Sequence, residues 1–156
     1  MSIFTIFSIM EVIINRLEKL IDTGHSYIQR TSVLELKYKP NPKKWSKQEI
    51  LGHLIDSAIN NLQRFTEIQF TDFPYTVRSY QQNELVVANK YQDSETEELL
   101  MFWLALNHRI AYIMQHTTQE TLNETIIVPN GTMKDVRYLM IDYVDHLEHH
   151  LLQITV

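Results

Sequence analysis

Apolar residues recur every three or four positions in four stretches of this chain, the spacing that gathers them on one face of a helix. The first stretch carries Met10, Ile13, Ile14, Leu17, Leu20, Ile21 and Ile28. The second carries Ile50, Leu51, Leu54, Ile55, Ala58, Leu62 and Phe65. The third carries Leu99, Leu100, Trp103, Leu106, Ile110 and Met114, and the fourth Val136, Leu139, Met140, Tyr143, Leu147, Leu151 and Ile154. Ahead of each stands a hydroxyl residue with a carboxylate three positions on: Ser8/Glu11, Ser46/Glu49, Ser94/Glu97 and Thr132/Asp135. This capping-box pattern marks a helix start, because the two side chains satisfy backbone N–H groups that the first turn leaves free. Four helices are expected. No alternating strand pattern of similar length appears. Ile126–Val128 is β-prone, but Pro129-Asn-Gly131 ends it after three residues.

Two connections are long. Residues 31–45 contain Pro40 and Pro42. Residues 71–93 contain Pro74 and several aromatics, with a short extra helix expected around Tyr80–Asn89. Connections of this length in a compact domain are usually functional or disordered. The pattern predicts an all-α fold, a four-helix bundle in a single domain spanning 1–156, with long connections after helices 1 and 2. Residues 1–7 read as an extension. Ile3, Phe4, Ile6 and Phe7 either lengthen the first helix or cover a dimer surface, and a chain starting at Met10 is expected to fold.

Candidate chemistry sits on the second and fourth helices. Leu139, Tyr143, His146 and His150 follow steps of four, three and four, so they form one line beside the apolar stripe. His149 aligns instead with Asp142 and Asp145 on a polar edge. On the second helix His53 stands beside Ile50 and Leu54, with Ser57 one turn on, Asn60 two turns on and Asp56 on the flank. A polar strip next to an apolar face is costly unless it is satisfied or lines a cavity. His146 and His150 can grip one ion and His53 can close the set. Three neutral imidazoles with one open position describe a catalytic metal site rather than a structural one. On spacing alone, the same residues also fit satisfied core or surface positions. Glu148 is not placed as in H-E-x-x-H, so a zincin peptidase is not indicated. Asp142, four before His146, reads as its hydrogen-bond acceptor or as a solvated carboxylate. Tyr143 reads as a pocket hydroxyl or a core aromatic. Trp45 is expected to pack beside the Ser46 cap, and His25, His108 and His116 lack a paired ligand.

Composition narrows the chemistry. The chain has 156 residues, no cysteine and a formal charge of −5. Without cysteine there is no disulfide framework, zinc–thiolate site or protein thiol nucleophile. Any thiol chemistry must use a thiol that arrives with a substrate. The densest basic cluster, Lys37, Lys39, Lys43 and Lys44, is short and broken by prolines, which argues against nucleic-acid binding. The apolar start has no basic n-region and is too short to span a bilayer, so no membrane association is expected and the expected location is cytoplasmic.

The block Trp45-Ser-x-x-Glu49-x-x-x-His53-x-x-Asp56-Ser57-x-x-Asn60 resembles the second helix of the DinB-like, or YfiT-like, superfamily. Tyr143-x-x-His146-x-x-His149-His150 resembles its last helix, and the resemblance extends from about Met10 to Ile154. It implies a four-helix bundle with a three-histidine metal site formed by His53, His146 and His150. It also implies a divalent ion such as nickel or zinc, and often a homodimer. Some members are metal-dependent hydrolases, and others are transferases using a low-molecular-weight thiol.

The expected function is therefore a divalent-metal-dependent transferase that joins such a thiol to a small electrophile. A metal-dependent hydrolase and a non-catalytic metal- or ligand-binding stress protein are the alternatives. A hydrolase would want a general base near the metal, and Asp56 and Glu148 are near in sequence without clearly pointing inward. Tyr75, Arg78, Tyr80 and Tyr91 are candidates to line a mouth that holds an anionic thiol. The expected partner is a small-molecule substrate.

Overall fold

The computed structural model describes the backbone of residues 3–156 and the side chains from Ile9 onward. Four long helices dominate it: α1 (Ile3–Arg30), α3 (Lys47–Glu67), α5 (Thr96–His116) and α7 (Val136–Thr155). Between them lie the short helices α2 (Val33–Lys37), α4 (Gln82–Ala88) and α6 (Gln119–Leu122), and a single 3₁₀ turn at Tyr91–Asp93. The expected extra helix is thus α4.

The four stretches bury the side that their period marks. Leu17 and Ile21, Leu54 and Ile55, Leu100 and Trp103, and Met140, Val144 and Leu147 share one core. α1 packs on α5 and α7, and α3 packs on the same two helices. Consecutive long helices α1 and α3 therefore lie across the diagonal, as do α5 and α7. Short loops join adjacent antiparallel helices. A diagonal crossing needs more chain, which segments 31–46 and 117–135 provide, while the still longer 68–95 joins the adjacent α3 and α5 because it holds β1, α4 and the 3₁₀ turn.

Only one of the four expected capping boxes forms. Ser46 caps α3, with its Oγ accepting from the Glu49 N–H at 3.1 Å while Glu49 Oε2 accepts from the Ser46 N–H at 2.8 Å. Ser8 is not a start: nothing in Ile3–Phe7 breaks a helix, and α1 runs through it from Ile3. The side chains of Ser8, Ile3, Phe4, Ile6 and Phe7 lie outside the described residues. Ser94 closes the 3₁₀ turn instead, its hydroxyl donating to the Lys90 carbonyl at 3.0 Å, and α5 begins at Thr96 without a side-chain cap. Asp135 is itself the cap of α7, accepting from the Tyr138 N–H at 2.8 Å.

The sequence also hid a small sheet. β1 (Tyr75–Thr76) pairs in parallel with β2 (Thr125–Ile127), which pairs antiparallel with β3 (Met133–Asp135). Pro129-Asn130-Gly131 does not end the strand's role but turns it into a hairpin. Gly131, at φ 83°, supplies the left-handed residue this turn requires, and its N–H donates to the Val128 carbonyl at 2.8 Å. Strands of two and three residues lie below the length at which alternation shows. The sheet carries Val77, Val128, Pro129 and Asn130 to the wall of the cavity described next.

Candidate metal centre

α3 and α7 pass in opposite directions, so Ser57 meets His146 and, further along, Phe65 meets Tyr143 with ring centroids 5.9 Å apart. This arrangement brings His53 from the middle of α3 against His146 and His150 of α7. Each of the three residues offers a nitrogen, and these atoms lie within 4.8 Å of one another. Nε2 of His53 and Nε2 of His146 are 3.1 Å apart. Two ligands at about 2.0–2.1 Å from one tetrahedral ion stand roughly 3.3 Å apart, so this spacing suits a shared cation.

The donor set fits a divalent ion on three further counts. First, His53 is fully buried, its Nε2 meets no group but His146 Nε2, and its Nδ1 has no hydrogen-bond partner to orient the ring. Its ring is held by packing instead, with the Trp45 ring centroid 5.0 Å away. Trp45 thus walls the centre as well as flanking the Ser46 cap. Second, the outer nitrogens of the other two rings are occupied. His146 Nδ1 lies 3.3 Å from Ser57 Oγ, and His150 Nδ1 lies 3.0 Å from Gln153 Oε1. An amide oxygen only accepts, so His150 carries its proton on Nδ1 and leaves Nε2 free. Third, the rings stay neutral. Burial, and then the neighbouring His150 and His146, push His53 down to about 3. Burial likewise pushes His146 down to about 4, and it lowers His150.

The sign of the resulting pH dependence is fixed. Below the ordinary histidine value of 6.5, the unfolded chain binds protons that the folded chain refuses. Metal-free protein is therefore unaffected by these rings above about pH 6.5. It is expected to lose stability steadily as the pH falls from there toward 4. Urea midpoints at pH 7.5 and pH 5 measure this, and equal midpoints would contradict it.

The structure sorts the remaining candidates. Ser57, not Asp142, partners His146, and Asp142 makes no hydrogen bond to it. Asp142 instead lines the adjoining cavity, where burial and Asp145 raise its carboxyl. Asn60 turns to the Asp56 carbonyl at 2.8 Å, and the buried neighbour of Ser57 is Asn61. Asp56 is buried and faces away, accepting from Tyr91 Oη at 2.7 Å and Asn89 Nδ2 at 3.0 Å. Glu148 is bound by Arg16, which also holds Asp145 at 2.6 Å, so both carboxylates beside the α7 histidines turn toward α1. Tyr143 is a buried aromatic at the cavity's edge, donating to Asn107 Oδ1 at 2.6 Å. His149 is exposed and touches Gln153 Nε2 at 3.3 Å. His25 is half-buried on α1, and His108 and His116 are exposed on α5.

One hollow reaches the histidines through His146, and a second lies beyond Trp45 and Gln153, which contact His53 and His150 respectively. The first, of about 420 Å³, extends along the later turns of α3 and is lined by Ser57, Asn61, Arg64, Tyr80, Asp142 and His146 among others. The second, of about 510 Å³ and more open, lies toward the start of α3, with Lys43, Lys44, Trp45 and Gln153 on its wall. Of the four loop candidates only Tyr80 lines the first hollow. Tyr75 Oη donates to Glu67, Tyr91 Oη to Asp56, and Arg78 is exposed. The cation there is Arg64, which sequence reasoning missed. It shares a helix face with Ser57 at a spacing of seven, which is the signal that could have found it.

A sequence profile of the DinB superfamily matches residues 16–154. The chain belongs to the DinB superfamily. A relative from Halalkalibacterium halodurans, named “Putative metal-dependent hydrolase”, is 23% identical over 130 residues, covering 83% of this chain and 75% of its own. Among solved structures, YfiT from Bacillus subtilis, described as a probable metal-dependent hydrolase with an unusual four-helix bundle topology, superposes with a TM-score of 0.82 at 18% identity. That match covers 94% of this chain and 83% of YfiT. A mycothiol-dependent maleylpyruvate isomerase superposes with a TM-score of 0.72 at 12% identity, over 93% of this chain and 60% of the isomerase. These superpositions show that the fold is shared.

Gln153 touches both His149 and His150, and its oxygen sets the tautomer of the latter. Gln153→Ala is expected to weaken divalent-ion binding about 10–100-fold, the usual effect of removing such a support. Competition with a chelator measures it, and unchanged affinity would show that His150 needs no orienting partner.

Proposed function

We propose that this chain is a divalent-metal-dependent enzyme acting on a small molecule, and that it joins a low-molecular-weight thiol to a small electrophile. His53, His146 and His150 would hold the ion. The observation that carries the reading is the convergence of three histidine nitrogens within 4.8 Å beside a hollow of about 420 Å³ that reaches His146 and has room for a small molecule. A bound divalent ion such as nickel or zinc would supply Lewis acidity, favouring the ionised form of a thiol or of water at neutral pH.

The chain's own residues do the rest. Ser57 and Gln153 hold two of the rings in place. Trp45, Ile50 and Leu54 keep water from the buried side, which strengthens attraction between an anionic sulfur and a cationic centre. In the conjugation the thiol proton passes to solvent, a sulfur–carbon bond forms, and the bond from that carbon to the leaving group breaks with its electron pair going to the leaving group. Lys43 and Lys44 offer positive charge at the open hollow where an anionic thiol would approach. We further read the protein as cytoplasmic, homodimeric and independent of nucleic acid. No helix among the described residues is long and apolar enough to cross a membrane.

One observation favours a hydrolase as the second reading. Asp142 lines the cavity that holds His146, and burial raises its carboxyl, as suits a proton acceptor working nearer neutrality. The two readings part in one experiment. Metal-loaded protein is offered small thiols with 1-chloro-2,4-dinitrobenzene and, separately, nitrophenyl esters. Metal-dependent conjugation is the expected outcome. Ester hydrolysis without conjugation, lost in Asp142→Asn, would transfer the assignment to the hydrolase. Bound metal with neither activity would favour the non-catalytic binding protein.

A further inference from the structure

We propose that Arg64 is a carboxylate-binding residue, and that the small molecule accepted in the cavity beside His146 carries a carboxylate group. This rests on reading that cavity as the substrate site of the proposed enzyme.

Arg64 projects from α3 into the cavity together with Ser57 and Asn61. Of its five N–H donors, one goes to Asn61 Oδ1 at 3.3 Å and one to the Arg78 carbonyl. The Tyr80 ring lies beside the guanidinium, 5.6 Å from centroid to Cζ. These contacts fix the plane of the group and leave three donors for a ligand. Among the described residues no carboxylate forms an ion pair with Arg64, although Arg16, Lys39, Lys47 and Arg137 are all paired. Asp142 attracts Arg64 across the cavity without touching it, and a half-buried cation without a direct partner is costly to keep. A guanidinium stays charged even where burial disfavours it, as burial does here. A planar carboxylate would match the remaining donors and supply the direct counter-charge that Asp142 does not.

Position adds to the argument. Seven residues separate Ser57 from Arg64, about 10 Å of helix. A small acid held at Arg64 therefore extends along α3 toward Ser57 and His146, with its far end at the histidine cluster. The cavity has one carboxylate among its lining residues, Asp142. It opposes an anion, and it lies too far from Arg64 to pair with it directly.

The competing account is that Arg64 only staples the connection through the Arg78 carbonyl. A staple is indifferent to ligand charge, so matched acids and amides separate the two. Benzoate and phenylacetate are titrated against benzamide and phenylacetamide on metal-free protein, followed by protein NMR. The acids are expected to bind at least ten times more tightly than the amides. Arg64→Leu should erase that preference, Arg64→Lys should keep part of it, and Asp142→Asn should strengthen acid binding several-fold. Equal binding of acids and amides, binding of neither, or a preference that survives Arg64→Leu would overturn the proposal. If Arg64→Leu fails to fold, the lysine and Asp142 variants still decide it. Because the assay needs neither metal nor turnover, acid binding in a protein that lacks both would reject the proposed enzyme and leave this inference standing.

Discussion

Alanine at His53, His146 or His150 is expected to abolish stoichiometric metal binding, while His149→Ala and His25→Ala keep about one divalent ion per chain. The three residues place their nitrogens within 4.8 Å of one another, and burial keeps their rings neutral and ready to ligate. Removing one leaves two ligands from the protein, and the loss should exceed the roughly 100-fold that a missing outer partner costs. His149 is the informative control. It neighbours His150 in sequence, and its ring centroid is only 4.9 Å from that of His150, yet it stands on the exposed side and reaches Gln153. Elemental analysis of the purified variants provides the measurement. Equal loss on replacing His149 would show that proximity, rather than the face of α7, selects the ligands.

The bundle and the meeting of the three histidines were legible because both depend on helical period. Leu139, Tyr143, His146 and His150 share a line on any α-helix, and that line had to face the core. The details one position apart were not legible. Steps of three and of four from Ser57 reach Asn60 and Asn61, and both share its face. Only the azimuth of α7 decides that Asn61 is buried while Asn60 turns back to its own helix. The same limit hid the partner of His146. Asp142 was the candidate on its own helix, but the contact comes from Ser57, 89 residues away. Arg16 disposes of Asp145 and Glu148 across an even longer separation. The cap at Ser46 was legible because both partners lie within one turn. The other three patterns failed because the chain upstream of each was already helix, 3₁₀ turn or hairpin.

Gly52→Ala should destabilise the fold by about 2 kcal/mol or more, although the same change in an exposed helix gains about 1 kcal/mol from helix propensity. Gly52 precedes His53 on α3, and the Tyr91 side chain occupies the space that a Cβ there would need. A Cβ at this position would stand far inside contact distance of Tyr91 Cδ2 and Cγ. Overpacking of this kind costs typically 1–3 kcal/mol and sometimes more, enough to reverse the gain. Tyr91 cannot retreat easily. Its hydroxyl donates to the buried Asp56 at 2.7 Å, and its carbonyl accepts from Gln48 Nε2 at 2.7 Å. Gln48 Oε1 accepts in turn from Thr96 Oγ1 at 2.6 Å at the start of α5. Tyr91 therefore clamps the long second connection to the helix that carries His53, and a shift of either disturbs the centre. The check is a double-mutant cycle in urea with Gly52→Ala, Tyr91→Ala and the pair. The pair should be less destabilised than the sum of the singles, because removing the ring makes room for the methyl group. The Gly52→Ala protein should also bind its divalent ion more weakly than the parent. A Gly52→Ala protein that is more stable than the parent by about the propensity gain would show that the connection yields freely, and that this clamp does not hold α3 in place.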